Sequence, residues 1–305
     1  MQLTRSNTNN IISLSVLMYL TPQAEKKLLT ESLMSPPIFI IIQCFENKSL
    51  LIVFMMTIIS LLLLASLLPH LTFTARVNVG IVNGTEAKPH SRPYMVSLQK
   101  YFKHVCGGFL ISDEFVLTAA HCNNKGLTAV VGAHDLKNDK GSVRIKVKSY
   151  HIHPDFNTQT LLNDIMLLRL EKEVEQNKIV KKISIPTQEG DIEADSVCSV
   201  AGWGRLRLKG KRSNLLMEVD VKIMNNTECK NKWKELYSAS HMICVYGHGG
   251  SCSGDSGGPL VCGDTAVGVT SFGDPKACNS RKRPEVYAKI SAYLPWIHSI
   301  IANVK

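Results

Sequence analysis

The stretch Gly250–Leu260, G-S-C-S-G-D-S-G-G-P-L, decides how this chain is read. One serine, Ser256, stands between Asp255 and two glycines, with Gly254 two residues before it and Pro259 three after it. Glycines carry no Cβ, so the backbone beside such a serine turns tightly and lets another molecule approach closely. The amides of Gly254 and Ser256 then have the freedom to converge beside the hydroxyl, as stabilisation of an oxyanion requires. A glycine-rich surface turn has the same composition. The two readings part on whether the chain also supplies a histidine and an acid suited to activating a hydroxyl.

Both are present. Phe115-Val-Leu-Thr-Ala-Ala-His-Cys122 is an apolar, strand-like run that ends on His121. Leu161–Leu170 sets one acid, Asp164, before the apolar run Ile-Met-Leu-Leu. A buried carboxylate needs partners, and a histidine that it orients is one. Further short apolar runs, Tyr94–Gln99 and Val105–Ile111, and the strict alternation of Val143–Lys148 predict strands separated by turns. This is the pattern of an all-β sandwich or barrel. His151 and His153 share one face of an extended segment and, without a third ligand, read as surface histidines. Tyr293, Trp296, Ile297, Ile300 and Ile301 fall at helical spacing with Pro295 near the start, predicting a C-terminal docking helix.

The chain has 305 residues, and its first 80 look unlike the rest. Residues 1–54 form an N-terminal extension of uncertain status. Residues 50–68 carry no charge and meet the length criterion for a membrane span. One reading starts translation at Met55 or Met56, with 55–75 a cleaved signal peptide. The other keeps the whole N-terminus and makes 50–68 a membrane anchor. Residues 76–80 then read as an activation peptide before Ile81-Val-Asn-Gly84. Cleavage after Gly80 frees the ammonium of Ile81, and Asp255 is the carboxylate expected to receive it. Residues 81–305 are the folded domain.

The chain is basic, with a net charge of +10. Arg205–Arg212 and Lys230, Lys232 and Lys234 are clusters able to meet a heparin-like polyanion or proteoglycan. Zinc-finger spacing and aromatic–basic interleaving are both lacking, so nucleic acid is not an expected partner. Of nine cysteines, all but Cys44 lie in the folded part. An even set behind a hydrophobic leader reads as disulfides in an oxidising compartment. The competing zinc reading lacks any C-x-x-C pair, and no metal or cofactor is expected.

T-A-A-H-C around His121, D-I-M-L-L around Asp164 and G-D-S-G-G-P around Ser256 occur in that order. I-V-N-G at Ile81–Gly84 and A-G-W-G at Ala201–Gly204 complete the set. Together they resemble the chymotrypsin-like (trypsin-type) serine proteases over essentially all of residues 81–305. P-H-S-R-P-Y-M at Pro89–Met95 and V-V-G-A-H at Val130–His134 resemble the granzymes and mast-cell proteases within that family.

The resemblance implies two six-stranded antiparallel β-barrels with a C-terminal helix and the active site in the cleft between them. Ser256 is then the nucleophile, His121 the proton carrier, Asp164 the group that orients it, and Gly254 and Ser256 the oxyanion hole. It implies disulfides Cys106–Cys122, Cys198–Cys262, Cys229–Cys244 and Cys252–Cys278; the last is shared with granzymes A and K and absent from granzyme B, chymases and cathepsin G. It also implies polypeptide substrates, serpin-type inhibitors and a secreted or granule-stored zymogen. Gly80 excludes a trypsin-like activator and suits trimming by a dipeptidyl peptidase.

The substrate pocket departs from the trypsin pattern. Gly250 stands where trypsin-like members carry an aspartate, followed by Ser251. Ser271, Phe272 and Gly273 form the opposite wall. A position that is often glycine is Glu285, as in cathepsin G. The expectation is cleavage after Lys or Arg with tolerance for Phe or Tyr. A Glu285 that faces solvent instead leaves a neutral, chymotrypsin-like pocket. A non-catalytic, polyanion-binding homologue is the rival class; its usual sign is a replaced His, Asp or Ser, and all three are intact.

Overall fold

The computed structural model describes residues 48–71, 81–138 and 140–303, with the side chains of the first segment described over 52–63. Gly80 and the rest of the expected activation peptide lie outside the described residues, as do 1–47. Residues 1–76 and 77–305 form separate compact units. In the first, helix α1 (Lys48–Leu71) is apolar throughout its middle, where Ile52, Val53 and Leu61 are exposed. Among the described residues no helix is long and apolar enough to cross a membrane.

The second unit is built of strands: β1 (Thr85–Glu86), β2 (Met95–Lys100), β3 (Lys103–Leu110), β4 (Phe115–Thr118), β5 (Thr128–Val131), β6 (Val143–Ile152) and β7 (Met166–Leu170). These are followed by β8 (Val197–Gly202), β9 (Met217–Ile223), β10 (Met242–Tyr246), β11 (Pro259–Cys262), β12 (Thr265–Phe272) and β13 (Glu285–Lys289). Strands β2-β3-β4-β7-β6-β5 close into one antiparallel barrel. The ring β8-β9-β10-β13-β12-β11 closes through the β11–β8 pairing to make a second, and β1 adds to its β9. Two six-stranded barrels therefore stand as the family resemblance implies, and the strand pattern's all-β sandwich or barrel resolves into a pair of barrels.

Alternation explains the walls. In β6, Ile145 is buried while Arg144, Lys146 and Lys148 face out, so one strand has a core face and a basic solvent face. Val96, Leu98, Phe109, Leu117 and Leu168 fill the first barrel, and Val200, Val221, Ile243 and Leu260 the second. Each such side chain contributes about 2 kcal/mol of burial. Val261, Ala266 and Val269 of the second barrel join the first barrel's core, locking the two together.

Helix α2 (Asn226–Trp233) is capped by the Asn225 side chain, which accepts from Thr227 N. The expected C-terminal helix is α3 (Leu294–Asn303); Leu294 and Ile297 are buried and Trp296, Ile300 and Ile301 pack on the first barrel's core. Tyr293 sits in the 3-10 turn just before it. All four expected disulfides are formed.

The β2–β3 hairpin is unusual. Lys100 pairs with Lys103, so Tyr101 and Phe102 form the whole turn, with φ of 48° and 63°. Two-residue hairpins of this kind favour Asn-Gly, and each L side chain held at such φ costs about 1 kcal/mol.

Candidate active site

His121 is carried by the 3-10 turn Ala120–Cys122 that ends β4, and Cys122 ties this turn to β3 through Cys106. Asp164 lies just before β7, the strand paired with β4, which brings acid and histidine to one end of the first barrel. Asp164 is fully buried. Its Oδ1 accepts the His121 backbone N–H at 2.9 Å and its Oδ2 accepts from His121 Nδ1 at 2.7 Å. A third bond comes across the barrel interface, from Ser271 Oγ on β12 to Oδ2 at 2.5 Å. An ionised carboxylate only accepts, so the His121 proton sits on Nδ1 and the Nε2 lone pair is left free.

Ser256 approaches from the second barrel, in the loop before β11. Its carbonyl accepts from Gly107 N on β3 at 2.8 Å, pinning the loop to the first barrel. Gly257 next to it has φ +82°, and a Cβ there would lie 2.1 Å from Thr118 Oγ1 and 2.5 Å from Gly107 O. Only glycine lets the serine sit this close to β3 and β4. Gly254, at φ +105°, has its carbonyl bound by His104 Nε2 at 2.9 Å. A carbonyl only accepts, so His104 carries its proton on Nε2 and accepts from Ser97 Oγ at Nδ1, 2.8 Å away. Burial lowers the His104 pKa to about 4, which keeps it neutral.

Asp255 is almost wholly buried, and burial raises its carboxyl to about 6 despite hydrogen bonds from Gly204 N at 2.7 Å and Cys252 N at 2.9 Å. The nearby cation is Arg212, which donates to His104 O and whose own pKa is lowered, mainly by burial. In this uncut chain the Ile81 nitrogen is an amide, so no ammonium is present to pair with Asp255. Ile81 is nevertheless fully buried, and Val82 O accepts from Gly250 N at 3.1 Å.

Glu285 does not face solvent. It is 6% exposed, and its Oε2 accepts from Ser251 N at 2.8 Å, Ser251 Oγ at 2.9 Å and Tyr287 OH at 3.1 Å. Its Oε1 is buried with no partner among the described residues. Burial pushes the carboxyl up to about 7. The Glu285 stem lies 3.5 Å from where a Cβ on Gly273 would be, and Phe272 meets Trp233 edge-on at 5.1 Å. Gly250, Ser251 and Gly273 are thus all neighbours of the Glu285 side chain.

Several partners escaped the sequence reading. Ser271 was expected only as pocket wall, yet it holds Asp164. Ser97, His104 and Tyr287 carry no motif signal, and the nearest hint is that His104 stands two residues before Cys106; Thr118 opens the T-A-A-H-C motif, but nothing there announces its bond to Gly107 O. Cys106, His121 and Cys122 cluster within 4.8 Å, but both cysteines are spent in a disulfide and leave no metal site. The second basic cluster is partly neutralised: Lys230 pairs with Glu235 at 3.3 Å and Lys232 with Glu228 at 3.4 Å.

Two closed six-stranded antiparallel barrels and a C-terminal helix make this the chymotrypsin-like serine protease fold. The family model described as Trypsin matches residues 81–297, and the chain belongs to that family. It is 41% identical to duodenase-1 of Bos taurus over 74% of this chain and 90% of that protein. It is 39% identical to granzyme B of Homo sapiens, over 78% and 96%, and 38% identical to mast cell protease 3 of Ovis aries, over 74% and 90%. Among solved structures it resembles neuropsin, a serine protease expressed in the limbic system of mouse brain. The TM-score is 0.69 at 31% identity, covering 72% of this chain and all of that one.

Proposed function

We propose that this trypsin-family protease hydrolyses peptide bonds through Ser256, His121 and Asp164. The observation that carries the reading is the buried Asp164 bound to both the backbone and Nδ1 of His121. His121 Nε2 takes the Ser256 proton as Oγ adds to the scissile carbonyl. Asp164 stabilises the imidazolium without itself taking the proton, and Nε2 then gives that proton to the leaving amine. The amides of Gly254 and Ser256 hold the oxyanion, each contributing about 3 kcal/mol to lowering the barrier. Water repeats the sequence to release the acyl group.

The chain is a zymogen in this reading. Cutting after Gly80 frees the Ile81 ammonium, which pairs with Asp255. The buried Ile81, the Val82–Gly250 pairing and a buried Asp255 that makes no direct ion pair among the described residues, its carboxyl raised to about 6, support it. Its granzyme and mast-cell protease relatives support a secreted or granule-stored protein, with heparin-like polyanions meeting Arg205–Arg212 and serpin-type inhibitors meeting the cleft.

For specificity, the partnerless Glu285 Oε1 favours Lys or Arg at P1, with some tolerance for Phe or Tyr when the carboxyl is protonated. Kinetics on peptides varied at P1 test this. Lys or Arg turnover that falls at least tenfold in Glu285→Gln fits the account; Lys or Arg turnover indifferent to that change refutes the pocket.

A further inference from the structure

The β2–β3 turn presents Tyr101 and Phe102 side by side, 82% and 81% exposed. Cations surround them. The Lys100 ammonium lies 5.5 Å from the Tyr101 ring centre and the Arg144 guanidinium 4.8 Å from that of Phe102. Lys103 sits opposite Lys100 in the ladder, and Lys146 and Lys148 continue the outward face of β6 from Arg144. Arg144 also donates to Thr128 Oγ1 and Gln99 Oε1, which fixes it under the turn. Among the described residues none of these five cations takes part in an ion pair.

We propose that this aromatic-tipped, cation-ringed hairpin docks the protein on an anionic phospholipid surface. Aromatic side chains settle at headgroup level in a bilayer, and cations around them attract anionic headgroups. A sulfated polysaccharide would use the cations and leave the rings in water. The rings project at a point where both residues hold left-handed backbone, a conformation that Asn-Gly would adopt without strain. Tyr-Phe there exposes aromatic surface at the cost of turn stability.

The geometry gives docking a consequence. Strand β3 runs from Lys103 at the tip to Gly107, whose N–H holds the Ser256 carbonyl. Four strand residues span about 13 Å. A docked molecule therefore holds its cleft close to the bilayer, facing polypeptides at the membrane surface. The docking itself does not depend on the triad.

The test uses the full chain cut after Gly80, which separates α1 and gives the form expected to turn over peptides, with phosphatidylcholine vesicles made with or without phosphatidylserine. Phe102→Trp places a local reporter at the tip, so any contact made by the apolar α1 is not read. The expected result is quenching of that reporter by brominated lipid, only on phosphatidylserine vesicles and weakened by salt. Tyr101→Asn/Phe102→Gly suits the turn and will fold; it should lose vesicle affinity about tenfold or more while retaining heparin binding and turnover of a soluble peptide. An unquenched reporter, undiminished vesicle binding by Asn-Gly, or parallel loss of heparin and vesicle binding would each overturn the proposal.

Discussion

Gly250 and Glu285 exclude one another's side chains: a Cβ on Gly250 would lie 2.3 Å from Glu285 Oε1. The Glu285 carboxyl enters from β13 and fills the space that a side chain at position 250 would need. The two residues are one structural decision.

Substituting Gly250→Asp alone adds a second carboxylate beside a buried one. We expect a loss of about 3 kcal/mol, read as a lower urea midpoint. Gly250→Asp/Glu285→Gly should recover most of it and still cleave after Lys or Arg. A single variant as stable as the parent would disprove the mutual exclusion.

If Glu285 receives the P1 side chain as proposed, its carboxyl, raised to about 7, gives P1 choice a pH dependence. The ratio of kcat/KM for Lys over Phe peptides cancels ionisations common to both reactions. That ratio should rise as pH climbs through 7, because the carboxylate attracts Lys only when ionised. In Glu285→Gln it should be flat, and a slope that survives there would point to another group.

Stability runs the opposite way with pH. Asp255 and Glu285 have folded pKa values above the usual carboxylate range, about 6 and about 7. The folded state therefore holds these protons more tightly than the unfolded chain, and their contribution is most favourable below about pH 4. It is lost as pH rises from the usual carboxylate range through 6 and 7. Comparing urea unfolding of uncut Ser256→Ala with Ser256→Ala/Glu285→Gln isolates Glu285. The double variant should gain relative stability from pH 4 to 8 by about 3 kcal/mol. A difference that stays constant across that range contradicts the assignment.

Much of this site was legible in the chain. His121, Asp164 and Ser256 each sit beside small or apolar residues whose packing constrains local sequence, so motifs of five or six residues reveal them. The strand alternation of Val143–Lys148 likewise betrays a wall with one wet face. The supporting bonds are not legible. Ser271 reaches Asp164 across 107 positions of chain, and His104 reaches Gly254 across 150. Such contacts depend on how two barrels meet, and a lone serine or histidine in a strand carries no trace of it. Nor does composition say that Glu285 points inward; the orientation follows from Ser251 and Tyr287 donating to it.

Ser271 offers a check on that hidden layer. Ser271→Ala removes one of three bonds to Asp164, and kcat should fall about tenfold with KM little changed. Asp164→Asn should cost about 10⁴ in kcat, by favouring the wrong histidine tautomer. Equal losses from the two would mean that Ser271 does more than hold the carboxylate.

The most direct measurement is fluorophosphonate labelling of the protein after its amino terminus has been generated at Ile81. The account predicts stoichiometric, irreversible labelling on Ser256, abolished in Ser256→Ala and nearly so in His121→Ala, with little labelling of the uncut chain. Folded, cleaved protein that takes no label, or takes it equally in Ser256→Ala, would contradict it.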